Sequence, residues 1–190
     1  IGKPFYLGET EVSQAEWERV MGGNPSSHKG DEFPVENVSW NDTDQFVKKL
    51  GMRLPSEAEW EYACRAGTTT PFACGATITW NQANFDAEYT YGSAAKGKKR
   101  GETIEVGQLW RNAWGFADMH GNVCEWCEDA KGDYPVSGGD ERANGSGAVR
   151  VLRGGSWNFD PGGCRSADRD CLDPANRPGY IGFRAARTPR

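Results

Sequence analysis

Cys124-Glu125-Trp126-Cys127 is the one pair of cysteines in this chain at metal or redox spacing. A structural zinc would need a second such pair, and a dithiol redox centre would need a thioredoxin-like strand–helix–strand setting. Neither accompanies it, so the spacing predicts two structural thiols in the core. Cys164 and Cys171 sit in a late polar stretch, where a disulfide and two free thiols both remain open. His28 and His120 are the only histidines, too few for a histidine-rich metal centre. Asp118 and Glu125 bracket a glycine-containing run, and hard carboxylate and carbonyl oxygens are what Ca2+ prefers.

These residues need elements to hold them. Phe5–Val12 alternates as a strand should. Ser13 with Glu16, Ser39 with Asp42 and Ser56 with Glu59 have the form of helix N-terminal capping boxes. They predict helices to about Met21 before Gly22-Gly23, from Trp40 to Leu50 before Gly51, and from Ser56 to Gly67. The second helix would bury Trp40, Phe46, Val47 and Leu50. Later signals are weaker. Ile104-Glu105-Val106 reads as an edge strand, Asp133–Gly147 as a loop and Val149–Leu152 as a buried strand. Early helices and short late strands predict an α+β fold with much irregular structure, formed by 1–190 as a single domain.

Composition narrows the function. Twenty-five glycines and eight tryptophans predict a loop-rich fold with large aromatic core pieces. A net charge of −5 argues against general nucleic-acid binding. The Lys96, Lys98, Lys99 and Arg100 cluster reads as a solvated loop. No stretch reads as a transmembrane helix or a signal peptide. The abrupt start at Ile1-Gly2-Lys3-Pro4 fits a preceding segment, so compartment stays open.

Several blocks occur together: Pro34-Val-Glu-Asn-Val-Ser-Trp40, Arg53-Leu-Pro-Ser-Glu-Ala-Glu-Trp-Glu61, Asn112-Ala-Trp-Gly115, Asp118-Met-His-Gly-Asn-Val-Cys-Glu-Trp126, Arg153-Gly-Gly-Ser-Trp157 and Gly182-Phe-Arg184. In this order they resemble the formylglycine-generating enzyme, or sulfatase-modifying-factor, family. The resemblance implies a variant of the C-type lectin fold. It also implies a structural Ca2+ held by Asp118 and Glu125 side chains and the Gly121 and Val123 carbonyls. A second family calcium site falls at Asn84 and Phe85, but its acid is missing from the lysine-rich stretch near Lys98. The family's oxidase binds copper through two cysteines after the RGGS motif. Here the second position falls near Cys164 and the first at about Phe159, which cannot ligate a metal. Iron chemistry of the ergothioneine-biosynthesis type would need more histidines.

The run from Arg153 to Arg184 also resembles the variable region of diversity-generating retroelement proteins. In those, ligand-binding residues are randomised by copying errors at adenines, chiefly in AAY codons. Such errors yield NNY codons, which never encode Lys, Glu, Gln, Met or Trp, and none of these five occurs from Asn158 to Tyr180. The resemblance implies a variable segment at about 157–180. Its ligand-binding residues would be Asn158, Phe159, Asp160, Gly163, Cys164, Asp168, Asp170, Cys171, Leu172, Asp173, Pro178, Gly179 and Tyr180. Tyr180 and Leu172 are expected to point outward, with Phe159 open between surface and core. The arginines between them would hold loop carbonyls and carboxylates as scaffold. The expected function is a non-enzymatic binder of a protein or cell-surface ligand, displayed on a cell or a phage particle. A copper oxidase with an altered site is the alternative, and a purely structural domain the third reading.

Overall fold

The computed structural model describes residues 1–133 and 149–189. Residues 134–147 of the expected Asp133–Gly147 loop lie outside the described residues. Three helices come first: α1 (Gln14–Met21), α2 (Trp40–Lys49) and α3 (Glu57–Arg65). All three carry the capping boxes expected from Ser13, Ser39 and Ser56. Gly22 closes α1 in the left-handed conformation. In α3 the left-handed cap is Ala66, with Gly67 following at φ 88°. Leu50 departs from expectation. It caps α2 and is 46% exposed, because the helix ends at Lys49, before the residue that would continue the stripe of Phe46 and Val47.

The strands are β1 (Tyr6–Leu7), β2 (Cys124–Ala130), β3 (Arg150–Arg153), β4 (Asp170–Leu172), β5 (Ile181–Gly182) and β6 (Ala186–Arg187). β1 and β6 form an antiparallel pair that ties the start of the chain to its end. The other four form one sheet in the order β4-β3-β2-β5, with β5 parallel to β2 and the remaining pairs antiparallel. Two expected strands fall short. Phe5–Val12 forms strand pairs at Tyr6 and Leu7, continued by isolated bonds from Gly8 N–H to Ala185 O and from Val12 N–H to Phe183 O. Ile104–Val106 forms no strand, since Ile104 N–H donates to the Asn122 side chain and Val106 N–H to a single carbonyl, Glu32. The run after Arg153 is polar and shows no helical or strand period. It contains a 3-10 turn (Pro161–Cys164) and β4, both too short to show a period.

The sheet lies between two apolar clusters. Successive residues of β3 point to opposite faces. Leu152 packs with Trp17, Phe46, Val47 and Trp126 on the α1–α2 side, where Trp17 and Phe46 stack 5.4 Å apart. Val151 packs with Trp60, Ala63, Cys64 and Cys127 on the α3 side. A third cluster joins Phe72, Ile78 and Phe85 to Cys164. Cys124 and Cys127 are core thiols, as their spacing predicts. The basic cluster is only partly a solvated loop: Lys99 pairs with Asp86 at 2.5 Å and Arg100 lies over the Trp80 ring.

Candidate functional site

The segment between Arg153 and Arg184 is held from beneath by its arginines. Arg153 is 1% exposed and reaches the carbonyls of Ser166 and Asp168, the Glu61 carboxylate and the face of Trp60. Arg165 holds Gly162 O and Asp168. Arg169 grips both oxygens of Glu57 at 2.5 and 2.6 Å. Arg177 does the same to Asp42 at 2.6 and 2.9 Å. Burial alone would raise the Asp42 carboxyl, yet the bonds from Arg177 and Ser39 hold it at about 2. Such forked pairs fix position as well as charge.

His120 adds a floor support. Ala73 N–H donates to its Nε2 at 3.0 Å, and its Nδ1 lies 2.9 Å from Cys164 O. Burial pushes its pKa down to about 4, so at neutral pH the ring is neutral, carrying its proton on Nδ1 toward the carbonyl.

On this frame Asn158, Asp160, Asp170 and Asp173 are exposed. Phe159, Gly163, Asp168, Cys171, Leu172, Pro178, Gly179 and Tyr180 are half-buried. Cys164 is a correction. It is fully buried against Phe72 and Phe85, and a Cβ on Gly155 would stand 2.5 Å from its sulfur, so it cannot meet a ligand. The outward expectation for Leu172 and Tyr180 is also corrected. Both lean on the α1–α2 core, as does Phe159, whose ring is 5.7 Å from that of Tyr180. Cys164 and Cys171 are free thiols.

Cys124, Leu152, Phe159, Gly163 and Asp170 line a crevice too narrow to admit a water molecule, whereas small-molecule sites usually offer several hundred Å³. A larger groove of about 750 Å³, lined by Leu7, Val12, Val20, Phe46, Leu50 and Met52 among others, includes no residue of 158–180. Burial raises the thiols of Cys64, to about 12, and of Cys124, Cys127 and Cys164. That disfavours the thiolate form that copper and redox chemistry require.

In the acidic stretch Glu125 is fully buried, and Arg184 forks onto its two oxygens at 2.7 and 2.8 Å while Trp60 Nε1 donates at 2.8 Å. Glu125 thus serves as the counter-ion of Arg184, with one donor on Oε1 and two on Oε2. Asp118 sits at φ 60° and accepts from Gly107 N–H. Among the described residues, no three His, Cys, Asp or Glu side chains converge to hold a metal. The surrounding charge is unbalanced. Burial, with Asp118 and Glu125 adding repulsion, raises Glu11 well above its usual range, and burial also raises Asp118. Sequence reasoning missed Glu11, which accepts from Asn122 and Val123 N–H. It also missed Glu57, Glu61 and Asp42 as partners of the frame. The only signal for Glu57 and Glu61 was the surplus of acids in α3, and Asp42 had none beyond its place in a capping box.

Short strands, long ordered loops and a C-terminal face held by arginines define a protein of the C-type lectin fold in its formylglycine-generating-enzyme form. The chain belongs to the family of the sulfatase-modifying factor enzyme 1-like domain, which matches residues 1–189. It is 34% identical over 198 residues to a formylglycine-generating enzyme of Streptomyces coelicolor, covering 97% of this chain and 61% of that protein. It is 30% identical over 182 residues to the inactive C-alpha-formylglycine-generating enzyme 2 of Bos taurus, covering 92% of this chain and 57% of that one. The chain thus spans about three-fifths of the length of these relatives. Among solved structures it is similar to Treponema denticola variable protein 1, with a TM-score of 0.86 and 29% identity over 97% of this chain and 84% of that one. No described helix is long and apolar enough to cross a membrane.

Proposed function

We propose that this chain is a non-enzymatic ligand-binding protein. Its C-terminal segment is diversified by a retroelement, and a fixed scaffold presents it to a protein or cell-surface partner. The observation that carries this reading is the division of labour between Arg153 and Arg184. Each of the five arginines is paired with a carboxylate, and four of those carboxylates belong to the scaffold. Among the described residues, the Asp160, Asp170 and Asp173 side chains bond only to neighbouring backbone N–H groups of their own segment. Such local turn and cap bonds are worth about 1 kcal/mol each, so these side chains can change identity while the arginine-held backbone beneath them stays fixed. The narrow crevice favours a macromolecular partner over a small substrate, and half-buried aromatics among polar neighbours are usual anchors of such surfaces. The similarity to a variable protein supports the same reading. Fold alone would not, since one fold hosts many functions.

Sequencing the gene's surroundings tests the diversification. A reverse transcriptase gene is expected beside a near-copy of the 157–180 segment, with Asn codons where this chain differs. A locus with neither would end that part of the proposal.

Calcium support belongs to the proposal too. Asp118 and Glu125, with the Gly121 and Val123 carbonyls, would hold the ion, which would offset the acidic surplus around Glu11 and Asp118. Removing divalent cations with EDTA is expected to lower the wild-type Tm, and Asp118→Ala to abolish that response. A wild-type Tm indifferent to both EDTA and added calcium would rule the ion out.

A further inference from the structure

The groove of about 750 Å³ contains no residue of the 158–180 segment, and its shape follows from the ribbon of β1 with β6. Tyr6 stands opposite Arg187, and Gly8 N–H donates to Ala185 O at 2.8 Å, which sets Gly8 opposite Ala185. Alternate side chains of a strand share a face, so Tyr6 and Arg187 project on the same side as Gly8 and Ala185. Leu7 turns the other way, onto the Trp60 cluster, while Ala185 packs toward the α1–α2 cluster. Gly8 and Ala185 are too small to fill the space between ribbon and helices. Val20 of α1, with Phe46, Leu50 and Met52 from α2 and the turn after it, walls that space.

Among the described residues seven large hydrophobic side chains are exposed, and three of them, Tyr6, Leu50 and Met52, line this one groove. Exposed apolar area gathered around a cavity of this volume is the usual form of a ligand site. The charges say which ligand. Glu11 faces away, onto the Asn122 side chain and Val123 N–H. Glu9 pairs with Arg111, and Glu16 closes the α1 capping box by accepting from Ser13 N–H at 2.9 Å. Arg19 and Arg187 also line the groove, are exposed, and have no partner for their guanidinium groups among the described residues. The uncommitted charges are therefore two guanidiniums beside an apolar floor.

We propose that this groove binds an anionic amphiphile, an aliphatic carboxylate with a chain of several carbons. The chain lies over Gly8 and Ala185 against Val20, Leu50 and Met52. The carboxylate meets Arg19 and Arg187, whose forked donors match its geometry. A neutral or cationic head would leave those charges unanswered. The site shares no residue with the C-terminal face, so the two readings stand or fall separately.

Octanoate below its micelle concentration, octan-1-ol and acetate separate the two halves of the ligand, with binding followed by NMR shifts of the Met52 methyl and the Ala185 N–H. Octanoate is expected to give saturable shifts, and acetate none over the same range. Arg19→Gln combined with Arg187→Gln should weaken octanoate binding about tenfold and leave the weaker binding of octan-1-ol unchanged. Both arginines are exposed and partnerless, so the double variant should keep the wild-type Tm. Leu50→Asp, also at an exposed position, should abolish the octanoate shifts. No shifts from octanoate, or equal binding of acetate, would overturn the proposal. So would octanoate affinity that survives the double variant or Leu50→Asp, or a tenfold loss that octan-1-ol shares.

Discussion

Arg184→Leu is expected to remove about 3–5 kcal/mol of stability, because it strips the countercharge from a buried carboxylate. Both Arg184 and Glu125 are fully buried. Without the guanidinium, Glu125 keeps a single donor, Trp60 Nε1, and faces two more acids, Glu11 and Asp118. The substitution also removes the guanidinium bonds to the carbonyls of Gly8, Glu9 and Ala117, of which Glu9 O keeps Ala117 N–H as a donor. Against a typical total of about 5–15 kcal/mol, such a loss leaves little folded protein. Denaturant unfolding checks the value. The double variant Arg184→Leu with Glu125→Leu should recover much of it, since a buried pair replaced by apolar groups is often near neutral. A single variant losing less than about 1 kcal/mol would contradict the role given to this pair.

Local physics explains what could be read from the sequence. The three helices follow from Ser13, Ser39 and Ser56 because a capping box is complete within four residues. The same holds for the motifs that open and close the C-terminal segment. The partners of the arginines could not be read, because they lie far away in the chain. Arg184 and Glu125 are 59 positions apart, Arg169 and Glu57 are 112 apart, and Arg177 and Asp42 are 135 apart. Folding alone brings them together. Cys164 misled for a related reason. Its codon class matches its exposed neighbours, but the 3-10 turn at Pro161–Cys164 rotates it inward onto Phe72. The place of Glu125 in a familiar motif says nothing of the guanidinium that pairs with it from 59 positions away. The half-buried state of Leu172 reflects β4, an edge strand whose three residues were too few to show alternation.

The second large effect concerns the separation of face from frame. Exposed side chains whose partners lie within their own turn, as with Asn158 on Ser156 and Asp160 on Gly162, change stability by about 0.5–1 kcal/mol each, which in a chain of this size moves Tm by about 1–4 °C. Breaking a buried, forked ion pair costs about 3–5 kcal/mol. Replacing Asn158, Asp160, Asp170 and Asp173 wholesale should therefore preserve the fold while changing what the protein binds. The same treatment of Arg153, Arg169 and Arg184 should unfold it.

The most direct measurement compares two libraries made with NNY codons, one at those four face positions and one at those three frame positions, scored by thermal unfolding. Most face variants are expected to melt within a few degrees of the parent, and most frame variants to show no cooperative transition. Face variants that unfold as often as frame variants would contradict the account.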